Sequence, residues 1–152
     1  MRSCQKIFIV QFIAATLGIL LIVNEIYAGE AAPYTKEAYE KLEEAQKIYK
    51  PSYPGKDSTL AEKQKASINM FRDLFKQAGF DFDATIRQIA KDLENKTVTI
   101  PKNGQNVITM IIVLLSYVKS HCEYEKVDCL SFFDPKTSEA VQWLWKNTGF
   151  KP

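Results

Sequence analysis

The chain has 152 residues, with 20 Lys and Arg against 18 Asp and Glu, one His, and a formal net charge of +2. So even a balance leaves no electrostatic footprint for nucleic acid, and no block of like charges marks a membrane-surface segment. There is no internal repeat and no low-complexity tract, and the length suits one hydrophobic core.

The first 28 residues divide into a basic start with Arg2 and Lys6, an apolar run over 7–23, and a polar stretch ending in Ile26-Tyr27-Ala28. That order is the pattern of a secretory signal peptide, with cleavage expected after Ala28. An uncleaved anchor competes, because the apolar run lies at the lower end of the length that spans a bilayer. Cleavage makes 29–152 a single helical domain, exported to a periplasm or secreted. Arg2, Lys6 and Glu25 leave with the signal, bringing the remainder still closer to neutral.

Thr35 is placed to cap a first helix whose stripe is Ala38, Leu42, Ala45 and Ile48, with Tyr39 and Tyr49 beside it. The prolines and Gly55 between Lys50 and Ser58 stop that helix. Thr59 with Glu62 forms a capping box for a second helix, Leu60 to Ala78, burying Ala61, Ile68, Phe71, Leu74, Phe75 and Ala78. Gly79 ends it. Asp83 is expected to cap a third helix from Ala84 to about Asn95, with Ile86, Ile89, Ala90 and Leu93 inward, leaving Phe80-Asp81-Phe82 as a corner.

Residues 97–100 alternate polar and apolar and suit a short extended segment. Asn103-Gly104 then permits a hairpin. The apolar pattern beginning at Val107 runs too long for an ordinary strand, however, and Met110, Leu114 and Leu115 suit a helix. The favoured reading is a central helix over about 107–120, buried on most sides by the others and too short to cross a membrane. Asp134-Pro135 starts a last helix that ends near Asn147, with Gly149 beyond it. The fold class is all-α: a compact bundle of about five helices around that apolar one.

Cys4 leaves with the signal, and Cys122 with Cys129 is expected to form one local disulfide in an oxidising compartment. His121, Glu123, Glu125 and Asp128 lie beside that pair, but C-x6-C with a single His lacks zinc-site spacing, so neither metal nor cofactor is expected. No Gly-x-Ser-x-Gly or comparable nucleophile context is present. Acid pairs such as Asp81 with Asp83, or Glu43 with Glu44, offer carboxylates for hydrolysis of an envelope polymer, but capping and a solvated face explain them better. Asn95-Lys96-Thr97 is an N-glycosylation sequon where the source glycosylates exported proteins.

Trp143 and Trp145 point about 200 degrees apart on a helix, so they flank the stripe of Val141 and Leu144. With Phe150 they form a candidate partner surface, since exposed Trp is enriched where proteins meet. The same rings could equally close the rim of a small core. The leading expectation is a protein that binds another protein, as an inhibitor, immunity or accessory protein. The alternative is a carrier of a small apolar ligand between Phe71, Phe75, Ile111 and Leu115.

Overall fold

Residues 34–50, 52, 54–102 and 106–149 are described by the computed structural model, which contains five α-helices and, among these residues, no strand. The expected signal over 1–28, Phe150 and the Asn103-Gly104 turn lie outside the described residues.

The helix starts follow local side-chain chemistry. Helix α1, Lys36–Ile48, begins where Thr35 accepts the Ala38 N–H at 3.2 Å. Helix α2, Leu60–Gln77, has a complete capping box. The Glu62 carboxylate accepts the Thr59 N–H at 2.7 Å, and the Thr59 hydroxyl accepts the Glu62 N–H at 3.2 Å. The Thr59 N–H, followed by its hydroxyl, holds the Glu62 carboxyl below its ordinary pKa. Gly79 closes α2 at φ +85°, a backbone setting that favours glycine.

Helix α3, Phe82–Glu94, starts two residues earlier than expected. Its cap is Asp81, which accepts the Ala84 N–H at 2.7 Å, and not Asp83. The reason is burial: starting the helix at Phe82 seats that ring in the core, 5.1 Å from the Phe75 ring, and frees Asp83 for an ion pair.

Helix α4, Val107–Glu125, settles the choice between hairpin and helix, and it outlasts the apolar pattern by several polar residues. It ends only at Lys126, which takes the left-handed conformation at φ 54°. Cys122 and Cys129, with Cα atoms 6.1 Å apart, are paired at disulfide distance across this end. By length and composition α4 is also long and apolar enough to cross a membrane, yet half of it is buried against the other helices. A 3-10 turn, Cys129–Phe132, leads to helix α5, Pro135–Asn147, capped by Asp134 with Pro135 in its first turn.

The helices share one core. Ile68, Phe75, Ile86, Ile89, Val107, Ile111 and Val141 are completely buried, and Phe82, Leu115 and Leu144 nearly so. Burial of each such side chain contributes roughly 1.5–3 kcal/mol. Ile48 departs from its expected place, being 75% exposed in the last turn of α1. Gln64 is buried on α2 instead of Ala61, which is half-buried. Residues 97–100 form no strand; Val98 and Ile100 pack against the core from an irregular loop.

The closest helix pair is α3 with α5. Asp83 approaches Phe132, Arg87 reaches Asp134 and Thr137, and Glu94 lies beside Trp143, so the two helices run parallel.

Candidate functional site

Three regions carry the polar and aromatic groups that the fold leaves exposed or singles out.

The first is the junction of α2, α3 and the 3-10 turn. Arg72 donates to both oxygens of Asp83, at 2.6 and 2.9 Å, and to the Phe132 carbonyl oxygen and Asn69 Oδ1, each at 3.0 Å. Its guanidinium also lies 5.5 Å from the centre of the Phe133 ring. The Asp83 hydrogen bond outweighs partial desolvation and raises the Arg72 pKa above its already high value. Four of the five N–H donors of this permanently charged planar fork are engaged within the protein, so the arrangement acts as a clamp. Nearby, Arg87 donates to Thr137 Oγ1 at 2.5 Å and to Asp134 Oδ2 at 3.3 Å. The Thr137 hydroxyl, then the Thr137 N–H, depress the Asp134 pKa. Asp81 and Asp83, the acid pair considered for hydrolysis, are thus occupied as cap and clamp, while Glu43 and Glu44 are exposed on α1.

The second region holds the tryptophans. The structure separates them. Trp145 donates its indole N–H to the Leu115 carbonyl oxygen at 2.8 Å, with the Lys119 ammonium 6.0 Å from its ring centre. That ring fastens α5 to α4. Trp143 is half-buried on the opposite flank, where it lines a groove of about 450 Å³ between α3 and α5. The expected joint surface of Trp143, Trp145 and Phe150 is therefore split: the two indoles serve different faces, and Phe150 is outside the described residues.

The third region was not legible as a surface. On α4, Val113 is 43%, Tyr117 55% and Tyr124 83% exposed, and the His121 ring packs against Tyr117 at a tilt of 42°, with ring centres 4.4 Å apart. Spacings of four, four and three residues place these side chains along one face. The expectation that α4 is covered on most sides is corrected here. Its buried residues Ile108, Ile111, Ile112, Leu115 and Val118 occupy one half of the helix, and this line occupies the other. No charged residue occurs between Val107 and Val118.

The residues nominated as a ligand pocket are core instead: Phe75, Ile111 and Leu115 are buried, and Phe71 packs half-buried against them. A cleft of about 300 Å³ opens elsewhere, lined by Ser52, Pro54, Lys63, Ala66, Ser67 and Met70. Among the described residues no group of three or more His, Cys, Asp or Glu is arranged to hold a metal ion. Asn95 of the sequon is exposed at the C-terminal cap of α3. Neither a family model, nor a curated protein, nor a solved structure matches this chain.

Proposed function

We propose that this chain is an exported protein that works by binding another protein, as an inhibitor, immunity or accessory protein. The observation that carries the proposal is the open line on α4. Val113, Tyr117 and Tyr124 expose large side chains on the most apolar helix of the fold, where a solvated face would ordinarily carry Lys or Glu. Tyrosine suits a contact surface, since it combines apolar area with a hydroxyl that tolerates water in the free protein. Export is supported by the 1–28 pattern and agrees with a cysteine pair at disulfide distance.

The test is affinity capture from the envelope or secreted fraction of the source, comparing the wild-type protein with a Tyr117→Ala, Tyr124→Ala variant. Both positions are exposed, so the variant should keep its far-UV circular dichroism and lose partner recovery tenfold or more. Equal recovery by the two proteins would remove the α4 line from the proposal.

A second reading, carriage of a small apolar ligand, draws on the cleft beside Pro54 and Met70. Native mass spectrometry of protein from its own source tests it, with a bound lipid-sized mass as the expected result and bare protein as the opposing one.

A further inference from the structure

The open face of α4 carries the spacing of a helix that packs against another helix. Met110, Leu114, Tyr117, His121 and Tyr124 recur at intervals of four, three, four and three residues, the repeat that keeps one seam turned toward a partner helix. Val113 borders the seam. None of these six residues is Lys, Arg, Asp or Glu, so the contact they offer is apolar and not ionic.

Exposure rises along the seam. Met110 and Leu114 are half-buried at its start, Tyr117 is open in the middle, and Tyr124 stands clearest of the fold at its end. A second copy running the opposite way matches that slope, because Met110 and Tyr124 each stand seven residues from Tyr117, and Val113 and His121 each stand four. With Tyr117 on a two-fold axis, Tyr124 lies over Met110 and His121 over Val113. Ridge meets recess at both ends, and each Tyr124 ring gains a thioether contact. The reversed arrangement also opposes the two helix dipoles and keeps Glu123 and Glu125 of one copy away from those of the other.

The area is sufficient for such a pair. A tyrosine presents roughly 150–250 Å², so Tyr117 and Tyr124, at 55% and 83% exposure, offer about 200–350 Å². With the other four residues the face comes to about 500 Å² per copy, or about 1,000 Å² for the pair, where specific but exchangeable interfaces begin.

We infer that the open face of α4 is covered by α4 of a second copy of this chain, antiparallel and centred on Tyr117. The inference rests on the reading of this line as a protein-contact surface, and names the protein that contacts it.

Sedimentation velocity of the exported protein over a concentration series is the test. A monomer–dimer equilibrium is expected, with dissociation in the micromolar range. Tyr117→Glu sets two carboxylates on the axis and should raise the dissociation constant at least about tenfold, while Tyr117→Phe should leave it within about twofold. Far-UV circular dichroism establishes that both variants are folded. Tyr117→Cys should form an intermolecular disulfide on mild oxidation. Tyr124→Cys should not, because fourteen residues at 1.5 Å per residue hold the two thiols about 21 Å apart.

A monomer at every concentration, or a dimer indifferent to Tyr117→Glu, would overturn the inference, and ready linkage through Tyr124→Cys would overturn the antiparallel register. A monomer that captures a different protein through Tyr117 and Tyr124 keeps the protein-binding reading and removes this pairing. A dimer that captures nothing else does the reverse.

Discussion

Trp145 donates its indole N–H to the Leu115 carbonyl oxygen, an atom in the middle of α4 that a side chain from α5 reaches at 2.8 Å. A main-chain carbonyl has two lone pairs, so it can serve the helix and the indole together. Trp145→Phe keeps an aromatic ring and removes the donor, and should cost about 1 kcal/mol. Trp143→Phe removes no such bond and should stay within about 0.5 kcal/mol of wild type. Urea unfolding of the two variants measures the difference; equal losses would mean that the indoles share a role.

Arg72 joins α2, α3 and the 3-10 turn through a single side chain. The pair with Asp83 is part-exposed, at 29% and 20%, so water moderates its value. Arg72→Met leaves Asp83 and the Phe132 carbonyl without their donor and should cost about 2 kcal/mol. Arg72→Lys keeps the charge without the fork and should recover about half of that. A double-mutant cycle with Asp83→Ala reads the coupling directly, and additive losses would show that the clamp contributes nothing.

Reduction of the Cys122–Cys129 pair releases a short loop. The chain-entropy relation gives about 2–2.5 kcal/mol for a loop of that size. The Cys122→Ser, Cys129→Ser protein should therefore remain helical, with a lower unfolding midpoint and an unchanged denaturant slope. Loss of helical signal at room temperature would assign the bridge a larger share of the fold.

The carboxyls of Asp134 and Glu62 both have lowered folded-state pKa values. A depressed carboxylate contributes stability that is fully present above its unfolded pKa, near 4, and is lost as pH falls through the folded value. Asp134→Asn with Glu62→Gln should flatten the acid arm of stability against pH below about 4 and leave the neutral plateau without a slope. Acid titration by circular dichroism reads that arm; an unchanged slope would place the acid sensitivity elsewhere.

Where local chemistry decides the structure, the sequence was readable. Thr35, the Thr59–Glu62 box, Gly79 and Asp134-Pro135 each fix a helix end through groups within four residues, and all four stand as expected. Asp81 and Asp83 compete for one cap, and the choice depends on Phe82 meeting Phe75 in space, which no local pattern encodes. For α4 the pattern identified an apolar helix but not which neighbours it would have. Nearly uniform apolarity conceals the face left open at Tyr117, and only the positions of the other helices reveal it. The alternation at 97–100 suggested an extended piece, yet a strand needs a pairing partner, and none lies there among the described residues. For the tryptophans, periodicity indicated that they diverge, but not that one would become a tether and the other the wall of a groove.

Parallel packing of α3 against α5 means that the closest helix pair joins segments about fifty positions apart, with all of α4 between them. Neither partner can bury its stripe against its immediate chain neighbour alone. The α3–α5 contact is therefore non-local, and burial of the stripe containing Ile86, Ile89 and Ala90 depends on a helix that the chain reaches only after α4 and the 3-10 turn.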